Sequence, residues 1–310
     1  MRAATKLAFL GLATQALSSP HPQQQQPLRS TAAKDDPEND TPLPLVVWHG
    51  LGDNYAAEGL QSVGELAEAI HPGTFVYYVR MDEQASADRT ATFWGNVTTQ
   101  IEKVCADLAA HPILSTAPAI DAPPVRSLVT FGSQHNGIVD YRACGPMDWL
   151  CKGAMALLHG NTFSSYVQGR LVPAQYFRDP NDLDRYLEAS NFLADINNER
   201  VLKNKTYAEN LAGLENFVMY MFADDTTVLP KETAWFEEVN GTESTPLRAR
   251  KLYSEDWIGL RELDRKGGLK FETTPGDHMQ LSEKVLNETF TEYFGPYGKK
   301  FRKDEAMGEL

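Results

Sequence analysis

Apolar positions along this chain come as short continuous runs separated by stretches with helical spacing. Residues 43–50, LPLVVWHG, form an unbroken apolar run that ends in glycine. Such a run predicts a strand buried on both faces, as in a parallel sheet. Residues 59–72, GLQSVGELAEAIHP, place apolar side chains three and four apart and stop at Pro72, predicting a helix. Residues 74–81, TFVYYVRM, are β-branched and aromatic and predict a second strand. A long amphipathic helix is predicted over 94–111, closed by Pro112, and another buried strand over 125–132, VRSLVTFG. Strands then become scarce from 141 to 216, which predicts a helical insert. Strand patterns resume at 217–224 and 269–276, and a helix closes the pattern after His278. This alternation predicts an α/β layered fold with a mainly parallel sheet.

The ends differ in composition from the middle. Residues 1–19 begin with Arg2 and Lys6 and continue into a short apolar run with small residues, the pattern of a cleaved secretory leader. That run is too short to span a bilayer, and no other stretch is long and apolar enough, so no transmembrane segment is expected. Residues 20–42 are rich in Pro and Gln and nearly free of apolar side chains, the composition of a disordered linker. The folded domain is expected over 43–297 and a flexible basic tail over 298–310. The net charge is −13, which argues against a nucleic-acid partner, since phosphate binding needs clustered Lys and Arg. Five N-glycosylation sequons begin at Asn39, Asn96, Asn204, Asn240 and Asn287 and, behind a leader, suggest a glycoprotein of the secretory pathway.

The chemistry collects at predicted strand ends. Asp224 and Asp225 end one strand pattern, and His278 follows another two residues after Gly276. In α/β-hydrolases the triad runs Ser, Asp, His along the chain, and these residues match its second and third places. Ordinary turn or capping roles are the alternative for each. WHGLGD, 48–53, follows the first strand where such enzymes build an oxyanion hole from backbone N–H groups. A plain turn explains its glycines nearly as well. Three cysteines are present. Cys144 and Cys151 flank a short loop and could pair, while Cys105 sits in a helical pattern without a partner; a buried free thiol is the bland reading.

PLVVWHGLGD, RLVPAQYFRDP, NFLADINNER, FVMYMFADDTTVLP and GDHMQLSE resemble the blocks of the soluble lysosomal palmitoyl-protein thioesterases, in their order. The resemblance covers about 43–294. It implies an α/β-hydrolase fold with an acyl-binding helical insert, and hydrolysis of the thioester between a long-chain acyl group and a protein cysteine. It implies Asp225 as triad acid, with Asp224 its close competitor, His278 as base and Leu51 as an oxyanion N–H donor. S-acylated proteins would be the partners, no metal or cofactor would be needed, and lysosome, vacuole or secretion would be the destination.

One block is missing. The family's nucleophile lies in a Gly-Phe-Ser-Gln-Gly type elbow, but here PAIDA runs directly into Pro123 and Pro124 and the next strand. Ser133, in FGSQHNG, has Phe131 and His135 where an elbow needs glycine. The resemblance also places the partner of Cys105 just after the absent helix. One deletion between Ala122 and Pro123 therefore accounts for both the missing serine and the odd thiol. The chain as written is expected to be inactive; the alternative is a non-catalytic acyl-binding protein.

Overall fold

The computed structural model describes residues 41–115, 125–140, 148–149, 152–153 and 161–296. The leader, the linker up to residue 40, the tail, Cys144, Cys151 and the Ala122–Pro123 junction lie outside them, Asn39 with the linker. Five strands make the parallel framework: β1 (Leu45–Val47), β2 (Val76–Tyr78), β3 (Ser127–Phe131), β4 (Asn216–Phe222) and β7 (Leu269–Thr274). A hairpin of β5 (Glu238–Asn240) and β6 (Glu243–Thr245) adds a small antiparallel pair. The helices before β3 are α1 (Glu58–Ile70), α2 (Ala85–Ala91) and α3 (Val97–Ala110). Between β3 and β4 lie α4 (Ser165–Gln168), α5 (Val172–Gln175), α6 (Leu183–Ala189), α7 (Leu193–Ile196) and α8 (Lys205–Ala212). Then come α9 (Lys251–Ser254), α10 (Leu260–Arg265) and α11 (Glu283–Tyr293).

Helix starts follow local chemistry. Asn96 accepts from the Thr99 N–H, Asn204 from Thr206 and Ser282 from Val285, each satisfying a donor that the helix itself leaves unpaired.

Among the described residues the sheet is in two pieces. β1 pairs in parallel with β2, Leu45 opposite Val76. β4 is the centre of the other piece, with Phe131 opposite Tyr220 on one side and Phe222 opposite Thr274 on the other. In a parallel ladder, alternate residues bond to each neighbour. Leu45 N–H donates to Phe75 O and Val47 O accepts from Val79 N–H, so Val46 and Trp48 turn their backbone groups to the far side. Arg126 O accepts from Asn216 N–H and Gly132 N–H donates to Tyr220 O, so Ser127, Val129 and Phe131 turn theirs away from β4. Among the described residues no strand pairs with either edge.

Those edges are neighbours across the end of α11. Leu43 N–H donates to Gly295 O, Arg126 Nη1 to Pro296 O and the Ser127 hydroxyl to Tyr293 O. Phe290 packs with Leu45 and Ala67, Tyr293 packs with Val218 and Tyr220, and Phe294 touches both groups. The expectation that residues 43–50 and 125–132 form fully buried strands is corrected here. Only Leu45 of β1 is buried, Val46 is 41% exposed, and β3 is half-buried throughout. Strands that end a sheet piece lose the cover a further strand and its helix would give.

The largest core joins Phe217, Met219, Leu252, Leu260, Leu263 and Leu269 beneath β4 and β7. A buried ionic group ties the segment before β4 to the hairpin. Arg178 lies 3.0 Å from Glu199 and 2.6 Å from Glu238, and the Tyr186 hydroxyl donates to Glu199 at 2.8 Å. Burial depresses the Arg178 charge, but the two carboxylates outweigh it and hold its pKa above the ordinary value.

Leu263 is fully buried, so Leu263→Ala is expected to lower the unfolding free energy by about 2–5 kcal/mol through lost burial and a residual cavity. Urea unfolding of the two proteins checks this; a loss below about 1 kcal/mol would mean that the site collapses and refills.

Candidate active site

β4 and β7 run in register, and their pairing continues beyond both strands. Ala223 N–H donates to Thr274 O at 2.9 Å and Asp224 N–H to Gly276 O at 3.0 Å. The two following loops therefore leave the sheet side by side at the carboxyl ends of parallel strands, where α/β sheets place ligand chemistry.

Asp225 and His278 meet there. Asp225 Oδ1 accepts from the N–H groups of Thr227 at 2.8 Å and Val228 at 2.9 Å. That leaves Oδ2 for His278 Nδ1, at 2.8 Å. The Asp225 side chain is 1% exposed and that of His278 is 22% exposed, so the pair is anchored from below and open on the imidazole side. Burial pushes the Asp225 carboxyl up, but the hydrogen bonds from His278, Val228 and Thr227 outweigh it and lower the pKa. A carboxylate held this way fixes the ring, with Nδ1–H pointing inward and Nε2 left to take a proton.

Asp224 is exposed and uses its backbone to bind the β7 loop. The capping alternative for His278 is not realised, because Ser282 caps α11. The turn alternative for Asp225 is realised together with the His278 contact, since its Oδ1 closes a turn while Oδ2 meets the ring.

Gly132, at the end of β3, closes the site from the other side. Its φ is +57°, and a Cβ there would fall 2.9 Å from the His278 ring and 3.0 Å from Phe222. Only glycine fits both the left-handed backbone and the ring pressed against it. The Phe222 ring centroid lies 5.7 Å from that of His278. Ser133 follows Gly132 and is half-buried.

The WHGLGD stretch is a firmly held turn. His49 Nε2 lies 2.8 Å from Asp88 Oδ2, close enough for an ion pair but off the line of a hydrogen bond. Asp88 is fully buried and also accepts from the Tyr55 and Met81 N–H groups. Gly52 N–H donates to the Thr92 hydroxyl and Gly52 O accepts from Arg89 Nε. Leu51, between these anchors, is 52% exposed.

Among the described residues no group of His, Cys, Asp or Glu could hold a metal ion, and no helix is long and apolar enough to cross a membrane. Cys105 is free and exposed, which corrects its reading as a buried small hydrophobe. Asn204, Asn240 and Asn287 are exposed and Asn96 is half-buried. The sequence reading missed Gly132, Thr226, Asp277 and the Asp88 anchor. A glycine closing a strand was the one available signal for Gly132; the others depend on partners 33 to 51 residues away.

The Asp225→Asn variant tests the pair through stability. The folded-state pKa of Asp225 lies below its reference value of 3.8. Its ionised form thus stabilises the fold above about that pH, and the contribution is lost as pH falls through the lower folded-state value. The stability gap between wild type and Asp225→Asn is expected to shrink below about pH 3.8. Other carboxylates cancel in the difference, and a gap independent of pH would show that the charge of Asp225 is not held by its neighbours.

Comparison with known proteins gives one consistent result. A family described as palmitoyl protein thioesterase matches residues 44–122 and 114–278, two stretches that overlap just before the Ala122–Pro123 junction. Palmitoyl-protein thioesterase 1 of Caenorhabditis elegans is 33% identical over 276 residues, 81% of this chain and 92% of its own length. A palmitoyl-protein thioesterase-dolichyl pyrophosphate phosphatase fusion of Schizosaccharomyces pombe is 30% identical over 81% of this chain and 43% of its own length. A lysosomal thioesterase of Bos taurus is 24% identical over 73% of this chain and 77% of its own length. With the matched stretches reaching from residue 44 to His278, the chain belongs to the palmitoyl-protein thioesterase family, and by family it is a thioester hydrolase.

Proposed function

We propose that the active form of this protein hydrolyses long-chain acyl thioesters, removing palmitoyl groups from protein cysteines by a Ser-His-Asp mechanism on an α/β-hydrolase fold. The observation that carries the reading is the 2.8 Å bond between Asp225 and His278 at the ends of adjacent parallel strands. In this reading Asp225 orients the imidazole, and His278 Nε2 takes the serine proton and returns it to the cysteine thiolate that leaves. The carbonyl oxygen would be met by the Leu51 N–H, held in the turn that Asp88, Arg89 and Thr92 fasten. A thioester is electrophilic enough for this chemistry without a metal or cofactor. The helices between β3 and β4 would supply the acyl groove.

The chain as written carries the acid and base without the nucleophile. Supporting this is the sequence itself, which has no G-x-S-x-G and runs from PAIDA straight into Pro123 and Pro124. An insert after Ala122 carrying the elbow and its helix would cover β3 and supply the serine and the second oxyanion N–H. It would also bring a cysteine to the exposed Cys105. Export, glycosylation at Asn96, Asn204, Asn240 and Asn287, a Cys144–Cys151 bridge and a lysosomal or vacuolar destination complete the reading; relatives named lysosomal thioesterases support the last.

Two measurements test it. Sequencing transcripts across the Ala122–Pro123 junction is expected to reveal an in-frame insert with a serine elbow and a cysteine. The purified 310-residue chain is expected to show no turnover of a palmitoyl-cysteine thioester. Turnover lost on His278→Ala would disprove the inactivity. A contiguous junction in every transcript, with acyl-chain binding but no turnover, would instead make this a non-catalytic acyl-binding protein.

A further inference from the structure

The loop that carries the acid and the loop that carries the base are joined a second time, one residue away from the pair. Asp277 precedes His278, and Thr226 follows Asp225. Asp277 Oδ1 accepts from the Thr226 N–H at 2.8 Å, from the Thr226 hydroxyl at 2.9 Å and from the His278 N–H at 2.7 Å. Its Oδ2 lies 3.0 Å from the same hydroxyl. The Asp277 N–H in turn donates to Gln280 Oε1 at 3.0 Å. One carboxylate oxygen thus takes donors from both loops, across 51 residues of sequence.

We propose that Asp277 is a positioning residue: its carboxylate clasps Thr226 and so holds His278 in register with Asp225. This rests on the reading of Asp225 and His278 as acid and base. The backbone pairing of β4 with β7 ends at Asp224 and Gly276. Beyond that point, each loop carries its reactive side chain on a turn, and Met279 has a φ of +60°. A 2.8 Å side-chain bond at the tip of two such turns needs the turns fixed relative to each other. The Asp277–Thr226 bonds are the cross-loop contacts that do this beside the pair itself. Hydrogen bonds to a charged acceptor are the stronger kind, and here they connect backbone to side chain, so they set where the His278 Cα sits.

The geometry separates position from charge. Three donors meet Oδ1, and Oδ2 lies 3.0 Å from a hydroxyl that can also accept. Asp277→Asn keeps the Oδ1 acceptor and can donate its amide to that hydroxyl, so it preserves the clasp without the charge. Asp277→Ala removes it. Thr226→Val removes the hydroxyl but leaves the Thr226 N–H donor.

The test is nuclear magnetic resonance on the full 310-residue chain labelled at its seven histidines, with the His278 signal assigned by its loss in His278→Gln. The readout is the exchange of the His278 Nδ1 proton with water at fixed pH. In the parent chain this proton is expected to be protected by Asp225. Asp277→Ala is expected to speed its exchange about tenfold, the factor that corresponds to losing about 1.4 kcal/mol of hydrogen bonding. Asp277→Asn is expected to restore protection and Thr226→Val to fall between. Protection unchanged in a folded Asp277→Ala, or Asp277→Asn behaving like Asp277→Ala, overturns the proposal. Should Asp277→Ala not fold, Thr226→Val decides it: parent-like protection there overturns the proposal. Failure of the underlying pair looks different, because a folded parent chain would then show no protected Nδ1 proton, matching Asp225→Asn.

Discussion

The Asp225–His278 pair hangs on the parallel pairing of β4 with strands on both sides. β4 carries Asp225 beyond its end, β7 carries His278 and β3 the glycine under the ring. Because the three strands are in register, their carboxyl ends stop at one level, and the loops begin within reach of one another. A slip of one residue in either pair would turn the strand's side chains to the opposite face. A slip of β7 against β4 would also move His278 away from Asp225 by about 3.3 Å along the strand. The core of Phe217, Met219, Leu260, Leu263 and Leu269 beneath β4 and β7 fixes that register, so packing far from the imidazole decides a 2.8 Å bond.

The two halves of the proposed chemistry stand apart in the same way. The oxyanion turn belongs to β1 and is fastened by α2, while the acid and base belong to the β3–β4–β7 piece. What joins them, among the described residues, is α11 with Phe290, Tyr293 and Phe294. A helix can hold two sheet pieces together by apolar packing, and in the proposed reading a nucleophile elbow after Ala122 would complete the site that the turn and the acid–base pair share.

The parallel strands and their order of sites were legible in the sequence because continuous apolar runs and a terminal Gly or Asp are local signals. The runs at 43–50, 74–81, 125–132, 217–224 and 269–276 each contain an observed strand. The degree of burial was not legible. An apolar run such as LPLVVWHG reads as central whatever lies beside it, yet Val46 and Trp48 are exposed. The β5–β6 hairpin also escaped, since EVNGTEST is polar and carries no alternation. Asp225 and His278 stood out as chemistry-bearing residues at strand ends. Asp277, Thr226 and Asp88 did not, because their meaning lies in partners that only the folded chain brings near.

The state of the described site bears on the proposed loss of the nucleophile segment. In a site decaying without selection, the costly and purely supportive features should erode along with the serine. Gly132 keeps a left-handed backbone under the imidazole, at an entropic cost that only a close contact justifies. The Asp88 carboxylate stays fully buried with its donors in place, although a buried charge that lost a partner would destabilise the fold. Asp225 retains both turn donors and the ring. In the proposed reading each of these supports a serine that the chain as written does not carry. Their joint presence fits the proposed excision of a single segment better than gradual decay, whether that excision lies in the transcript or in the reading of the gene.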